Sequence, residues 1–163
     1  MRKVFYSFHY ADVWRANKVR NIGKVEGNPS ASGNEWEAVK KNGPAAIQRW
    51  IDGQLAGRTC TIVLVGAETA TRPWVKYEIE KSWNDGMGLL GIRIHKLTDQ
   101  DQLPAVRGSN PFSSFTMKQG RVRLDEVVPL YDPSPTSSAD VRNLIADKLE
   151  KWIEHAIQVR NEY

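Results

Sequence analysis

The chain of 163 residues contains a single cysteine, Cys60, and no long apolar run. One cysteine excludes both an intramolecular disulfide and a zinc site built from several cysteines. Because its neighbours at 61–64 are β-branched or aliphatic, we predict a buried thiol in a strand. The longest apolar stretch, at 60–65, is far shorter than the ~18 residues of a membrane-spanning helix. The N-terminus also lacks the roughly 7–15-residue apolar segment of a signal peptide. We therefore expect a cytoplasmic protein without a membrane partner.

The chain also lacks a strong charge of one sign. Its formal net charge is +4, and the basic residues are scattered along the sequence. This pattern does not support a nucleic-acid partner. At 40% hydrophobic residues the chain is too apolar to be disordered. Its length suits one domain of roughly 100–200 residues, so we predict a single domain over residues 1–163.

Short β-branched or aromatic segments alternate with segments of helical periodicity. Gly23–Gly33 is a polar loop that leaves room for a very short strand, and 96–126 is a long polar connection of the kind that is often functional or mobile. Strands are predicted at 3–8, 59–65, 89–94 and 127–131. Helices are predicted at 12–20, 35–41, 45–55, 73–85 and 137–156. The last begins at Ser137, with Asp140 three residues later, in a pattern like a capping box.

Strands that alternate with helices predict an α/β fold with a central, mainly parallel sheet of about five strands. Right-handed crossovers cover both faces of such a sheet with helices. Ligands bind outside the carboxyl ends of the strands. The segments expected to form a site are therefore 8–12, 66–74 and the chain from residue 95 onward.

Glu78 is the acidic residue whose position is unusual. Each helical residue turns by about 100°, which places Glu78 inside the arc defined by Trp74, Val75 and Ile79, with Glu80 on the opposite side. A carboxylate there is costly unless it is paired or hydrogen-bonded. It is either a structural group, paired with an arginine or stabilised by the helix dipole, or a catalytic or ligand-binding group. The helix pattern alone leaves both interpretations open.

Several segments carry a resemblance to a known family. The sequence Lys-Val-Phe-Tyr-Ser-Phe-His-Tyr-Ala-Asp at 3–12 resembles the first strand and loop of the TIR (Toll/interleukin-1 receptor) superfamily. The pattern Trp-Val-x-x-Glu-Ile at 74–79 is similar to the helix motif with the catalytic glutamate of NAD-cleaving TIR domains. Further segments resemble the bacterial TIR-like ThsB family of the Thoeris anti-phage system. They lie at 8–10, 19–21, 63–66, 74–82, 91–92 and 110–112.

The resemblance covers roughly residues 3–115 and implies a flavodoxin-like, TIR-like three-layer fold. It implies that Glu78 is catalytic in cleavage of the nicotinamide–ribose bond of NAD, which is a substrate and not a cofactor. The ADP-ribose part would be cyclised or transferred to give a signal that activates a separate effector. It further implies a phage-derived trigger. TIR enzymes often assemble to complete their sites, so a homo-oligomer is one state that the resemblance allows, and the sequence leaves the oligomeric state open.

Five further residues are candidates for substrate binding on this basis. Ser7 either bonds backbone or contacts a ribose or phosphate, and Phe8 is either core or a ring that stacks on nicotinamide or adenine. His9 is either a surface loop residue, a substrate contact or a base for cyclisation. Asn21 either meets a phosphate or ends a solvated helix, and Trp74 packs so as to shield Glu78. Asp12 is predicted to be a helix N-cap.

Other classes of function have less support. No phosphate-binding glycine loop, His/Cys metal set or nucleophilic serine motif occurs. A receiver domain needs clustered acidic residues after its first strand, where this chain has Ser-Phe-His-Tyr. The gating loop of many TIR domains is not recognisable in Gly23–Gly33. The main alternative to an enzyme is a non-catalytic flavodoxin-like module that binds partner proteins through its TIR faces.

Overall fold

A four-stranded parallel sheet with strand order β1-β2-β3-β6 forms the centre of the molecule. The computed structural model describes residues 1–29 and 33–163, with only the backbone described at 33–36. A separate antiparallel hairpin pairs β4 with β5. The strands are β1 (Val4–Ser7), β2 (Cys60–Val65), β3 (Gly88–Arg93), β4 (Thr116–Met117), β5 (Val122–Arg123) and β6 (Leu130–Tyr131).

Helices flank the sheet, which confirms the predicted α/β, flavodoxin-like architecture with a parallel sheet. They are α1 (Val13–Arg20), α2 (Gly33–Lys41), α3 (Pro44–Leu55), α4 (Pro73–Asn84) and α5 (Ser138–Asn161).

The central strands are apolar throughout because both sheet faces are covered. Every residue of β2 and β3 is buried, including the Cys60 thiol. On one face, Val4 and Tyr6 pack with residues of α1 and α5. On the other face, Phe5 packs with residues of α3. Since successive side chains of a strand alternate between faces, Ser7 lies on the Phe5 side, toward α3 and α4.

The outer edge of β1 carries only a vestige of a fifth strand. Glu26 forms an isolated parallel bridge with Lys3, in which Val4 N donates to Glu26 O at 2.8 Å and Glu26 N donates to Arg2 O at 2.9 Å. The very short strand allowed for in the 23–33 loop is thus a single bridge. Residues 30–32 of that loop lie outside the described residues.

Three predictions of local structure need correction. Asp12 precedes α1, but its side chain makes no capping hydrogen bond and instead pairs with Arg15. The predicted strand at 127–131 is shortened to Leu130–Tyr131, because a 3₁₀ turn occupies Leu124–Glu126. The Leu124 carbonyl oxygen accepts hydrogen bonds from the backbone N–H groups of Val127 and Val128, which are therefore not available to the sheet. The connection at 96–126 is also less irregular than expected, since it contains the β4–β5 hairpin.

The C-terminal helix α5 closes one face of the sheet. Ser137 is its N-cap and accepts a hydrogen bond from Asp140 N at 3.1 Å, as the sequence predicts. Its buried stripe recurs every three or four residues and packs against β3. That stripe consists of Val141, Ile145, Leu149, Ile153 and Ala156. Within residues 1–29 and 33–163, no helix combines the length and apolar character needed to cross a membrane.

Gly88→Ala is expected to lower the free energy of unfolding by about 1–3 kcal/mol, the usual cost of overpacking a core. A Cβ atom at Gly88 would lie 2.9 Å from the backbone nitrogen of Ile157, so α5 would have to move away from β3. Urea denaturation measures the change. Gly53→Ala is the matched control, because a Cβ there meets nothing within 4 Å and α3 gains helix propensity of about 0.5–1 kcal/mol. Equal stability of the two variants would contradict the packing argument.

Candidate active site

Ser7 and Glu78, which are 71 positions apart, meet at the carboxyl end of β1. Ser7 is the last residue of β1 and lies opposite Val63 of the neighbouring parallel strand β2. Helix α4 follows β2 and returns across the same face. The Ser7 Oγ atom donates a hydrogen bond of 2.8 Å to Glu78 Oε1. The pair is therefore built by the parallel register of β1 and β2 together with the rotation of α4.

The rotation predicted for α4 is confirmed. Val75 and Ile79 are buried, whereas Lys76 and Glu80 face solvent. Glu78 is partly buried and its carboxylate points inward, toward the end of β1.

The carboxylate of Glu78 lacks a counter-ion among the side chains that the structure describes. Burial raises its pKa from 4.5 to about 8, and the hydrogen bond from Ser7 opposes that rise. Among the residues whose side chains the structure describes, no lysine, arginine or histidine forms an ion pair with it. Glu78 is also the sixth residue of α4, beyond the first turn in which the helix dipole acts. Within the described side chains, the structural interpretation of Glu78 therefore has neither of its two stabilising partners.

The hydroxyl groups of Thr61 and Ser82 hold the helix backbone at Glu78 in place. Ser82 Oγ donates to the Glu78 carbonyl oxygen at 2.6 Å, and the Thr61 and Ser82 hydroxyl oxygens lie 2.7 Å apart. Thr61 belongs to β2, so these bonds attach α4 to the sheet. Neither Thr61 nor Ser82 was predicted from the sequence to belong to the site. Two sequence features could have indicated them: Ser82 is a hydroxyl residue four positions after Glu78, and Thr61 is a polar residue in an otherwise apolar strand.

Two aromatic residues of α4, Trp74 and Tyr77, precede Glu78 in the helix. Trp74, one helical turn before Glu78, is half-buried and packs against the cluster that contains Phe5. Its ring meets that of Tyr77 edge to face, with centroids 5.9 Å apart. The Tyr77 hydroxyl donates to Asp52 Oδ1 at 2.6 Å, and this hydrogen bond raises the pKa of Tyr77 to about 12. The bond also ties α4 to α3.

Phe8 and Asn21 do not lie beside Glu78. Phe8 is on the other sheet face, where it packs on the core next to α1 and its ring centroid is 5.7 Å from the Arg20 guanidinium carbon. Asn21 is exposed at the end of α1. That helix runs back toward the edge where the strands begin, as the Glu26–Lys3 bridge shows. Of the five substrate-binding candidates, the structure places Ser7 and Trp74 next to Glu78 or one turn away from it.

His9 lies at the carboxyl edge of the sheet, just beyond the end of β1. Its Nε2 atom is 4.0 Å from Glu68 Oε2, in the turn that follows β2. The His9 side chain is about one-fifth exposed, while the Glu68 side chain is mostly exposed. The histidine is thus accessible from the carboxyl edge, where a ligand of this sheet is expected.

A buried ion network holds the neighbouring loops in place. Arg15 is 7% exposed and donates to Asp12 Oδ1 at 3.1 Å and to the carbonyl oxygens of Leu97 and Leu103 at 2.9 Å. The Asp12 carboxylate fits against Gly66, where a Cβ atom would clash with it. Burial raises the pKa of Asp12, and the Arg15 charge opposes this. The network joins the start of α1 to the loop after β3, and the sequence analysis did not predict it.

Two other kinds of chemistry find no support in the described residues. Residues 1–29 and 33–163 contain no group of three or more His, Cys, Asp or Glu side chains that could hold a metal ion. The lone thiol, Cys60, is buried and its pKa is raised to about 12, which makes it a poor nucleophile.

Comparison with known proteins places this geometry in context. The family model described as "Thoeris protein ThsB, TIR-like domain" matches residues 5–99, a segment that contains Ser7, Thr61, Glu78 and Ser82. A curated relative from Bacillus cereus strain MSX-D12 is named "Putative cyclic ADP-D-ribose synthase ThsB1". It is 41% identical over 117 residues, which cover 68% of this chain and 61% of the relative. The match thus spans about three-fifths of the relative's length.

Glu78→Gln is expected to weaken the pH dependence of stability. Because folding raises the pKa of Glu78 from 4.5 to about 8, the native state binds this proton more tightly than the unfolded chain. The resulting stabilisation is full below about pH 4.5 and is lost as the pH rises toward 8. Urea denaturation at both ends of this range should show a larger loss for wild type than for Glu78→Gln, by about 1 kcal/mol or more. Glu80→Gln should behave as wild type, and identical profiles for all three proteins would contradict the prediction.

Ser7→Ala is expected to raise the pKa of Glu78 further. The serine hydroxyl stabilises the ionised carboxylate, and a hydrogen bond to a charged group contributes about 1.5–3 kcal/mol, equivalent to at least about one pH unit. Titration of the Glu78 side-chain carbon by NMR measures the change. Ser82→Ala is the control, because it removes a buried hydroxyl that bonds the Glu78 carbonyl and not its carboxylate. A pKa that moves equally in both variants would mean that Ser7 has no specific effect.

Proposed function

Because the chain belongs to the ThsB family of TIR-like domains, we propose that it is an NAD-processing enzyme in which Glu78 is the catalytic residue. The reaction proposed is cleavage of the bond between nicotinamide and ribose. One observation carries the proposal: at the carboxyl edge of a parallel sheet lies a carboxylate that Ser7 hydrogen-bonds and that has no cationic partner among the described side chains. This is the edge where ligands of such sheets bind.

A single carboxylate suffices for this chemistry. The nicotinamide of NAD is a cationic pyridinium, so it leaves as a neutral molecule when it takes the electron pair of the carbon–nitrogen bond. No general acid is needed for that departure. The ribose left behind has oxocarbenium character, and a fixed negative charge in a water-poor site stabilises it. Glu78 supplies this charge.

The environment of Glu78 suits a cationic substrate. In the free protein its pKa of about 8 leaves much of the carboxyl group protonated at neutral pH. A bound pyridinium favours the ionised form, as any nearby positive charge does for a carboxylate. Ser7 donates to Oε1, and no hydrogen bond from the described side chains reaches Oε2, which is the oxygen proposed to contact the substrate. The Thr61–Ser82 hydroxyl pair holds the helix backbone at the same residue, which keeps the carboxylate oriented.

We further propose that the product is cyclic. The matched relative is named as a cyclic ADP-D-ribose synthase, which is the support for cyclisation over hydrolysis. In cyclisation, a nucleophile within the ADP-ribose part attacks the ribose carbon as nicotinamide departs, and one proton is released. His9, accessible at the same edge, is the proposed base for that proton.

The wider role follows from the same family membership. We propose that the nucleotide product diffuses through the cytoplasm and activates a separate effector in anti-phage defence, after a phage-derived trigger switches on synthesis. Assembly into a homo-oligomer is part of this proposal. Neither a membrane nor a nucleic acid is among the proposed partners.

A protein-binding module is the second candidate. Four side chains with large apolar surfaces are more than half exposed in the segments that follow β1 and β3 at the carboxyl edge: Tyr10, Trp14, Leu103 and Val106. Exposed apolar clusters of this kind mark interaction sites. On this alternative, the edge binds a protein and Glu78 has no chemical role.

Glu78→Gln is expected to abolish NAD cleavage, by more than about a hundredfold, because the amide cannot stabilise a developing positive charge. Purified wild type and variant are incubated with NAD, in buffer and in lysate of phage-infected cells, and products are identified by mass spectrometry. Glu80→Gln is the matched control, since this carboxylate lies on the same helix but faces solvent.

Nicotinamide together with a product that has the mass of ADP-ribose less water would show cyclisation. ADP-ribose itself would show hydrolysis. Full turnover by a folded Glu78→Gln variant would refute the role of Glu78. Absence of turnover by wild type in both buffer and infected lysate would favour the protein-binding module.

A further inference from the structure

The protein contains two arginines that are buried to the same extent and neutralised very differently. Arg15 and Arg93 are each 7% exposed. Arg15 has two carboxylates, Asp12 at 3.1 Å and Asp99 at 3.5 Å. Arg93 donates to the carbonyl oxygen of Gly108, and no carboxylate among the described side chains lies within 4 Å of it. Burial of a charge is costly without a counter-charge, so Arg93 is incomplete as it stands.

The surroundings of Arg93 add positive charge. Arg93 ends β3, and burial lowers its pKa, as does the nearby Arg107. Burial lowers the pKa of His95, the charge of Asp132 opposes this, and the charges of Arg93, Lys96 and Arg107 lower it further. Asp132 forms an ion pair with Arg107 at 3.3 Å, and that arginine is 63% exposed. The set thus has more positive than negative charge.

A polar atom in this set has no partner. The Nδ1 atom of His95 is buried and makes no hydrogen bond within the described residues. Lys96 is turned away, since its ammonium group donates to the carbonyl oxygen of Pro133 at 2.8 Å. The groups left to contact a ligand are therefore the guanidinium groups of Arg93 and Arg107 and the ring of His95.

We propose that Arg93, His95 and Arg107 form a binding site for the diphosphate group of a nucleotide. A phosphate supplies the counter-charge that Arg93 lacks, and the planar guanidinium fork matches two phosphate oxygens. The site lies at the carboxyl edge of the sheet, where phosphates of nucleotides commonly bind. The identity of the ligand as a nucleotide rests on the proposed function. The excess of positive charge around the buried Arg93 is independent of that function and indicates an anion site by itself.

The distance across the sheet allows one ligand to reach both sites. Strands β1 and β3 are separated by β2, so Ser7 and Arg93 end strands that lie about 10 Å apart. A dinucleotide is long enough to place its nicotinamide ribose at Glu78 and its diphosphate at Arg93. The same phosphate chemistry also suits a separate nucleotide, such as a product bound at a second site.

Binding of inorganic pyrophosphate to the whole chain, measured by calorimetry, tests the site without any turnover. We expect wild type to bind at millimolar concentration or below. Arg107→Ala should weaken binding about tenfold, because it removes one charge-assisted hydrogen bond of about 1.5 kcal/mol or more. His95→Ala should also weaken it, and Arg93→Gln should abolish it. Arg123→Ala is the control, since this arginine is equally exposed but lies in the β4–β5 hairpin.

Arg107→Ala changes an exposed residue, so it keeps the test decisive if Arg93→Gln fails to fold. No heat of binding with wild type, or equal affinities for Arg107→Ala and Arg123→Ala, would overturn the proposal. Titration of NAD into Glu78→Gln, with and without Arg107→Ala, then separates the two sources of phosphate. A tenfold loss assigns the site to the diphosphate of NAD. Unchanged NAD affinity together with weakened pyrophosphate binding assigns it to a second phosphate ligand. Neither result depends on whether NAD is cleaved.

Discussion

The parallel pairing of β1 with β2 is the constraint on which the candidate site depends. It sets Ser7 opposite Val63, so that the helix returning from β2 passes the end of β1 with Glu78 facing it. Replacement of water by protein around this carboxylate destabilises its ionised form, and a single hydroxyl only partly compensates. A desolvated carboxylate without an ion-pair partner among the described side chains is costly for the fold, and it suits the cationic substrate proposed for it. The Thr61–Ser82 hydroxyl pair keeps it oriented.

Buried charge is treated in two ways at the carboxyl edge of the sheet. Arg15 is paired with two carboxylates, Asp12 and Asp99, and its hydrogen bonds to the Leu97 and Leu103 carbonyl oxygens hold the loops after β1 and β3 against each other. Glu78 and Arg93, by contrast, are a desolvated acidic group and a desolvated basic group without ion-pair partners among the described side chains. They lie on different strands of the same edge. NAD carries a positive nicotinamide ring at one end and a negative diphosphate in its middle, so the two proposed sites complement these two charged groups.

Much of the fold was predictable because its signals are local. The continuous apolar run of β2 indicates a strand covered on both faces, and the rotation of α4 indicates an inward Glu78. Ser137 caps α5 as its spacing predicts. Asp12 failed as a cap because Arg15, three residues later, offers a buried ion pair, and tertiary burial outweighs a local hydrogen bond. Phe8 lies on the opposite face from Glu78 because strand alternation places it beside Tyr6 and not beside Ser7.

By itself, the sequence determined the order of strands and helices, the apolar faces that build the sheet, and the inward direction of Glu78, because periodicity and local sterics act over a few residues. Its motifs also identified the family. Only the tertiary structure decided that Ser7 bonds Glu78, that Asn21 lies at the far edge, and that Arg15 is neutralised while Arg93 is not. The Ser7–Glu78 and Arg15–Asp99 contacts join residues 71 and 84 positions apart. The strand register and helix packing set them, and each charge is stabilised or destabilised by the partners that folding brings to it.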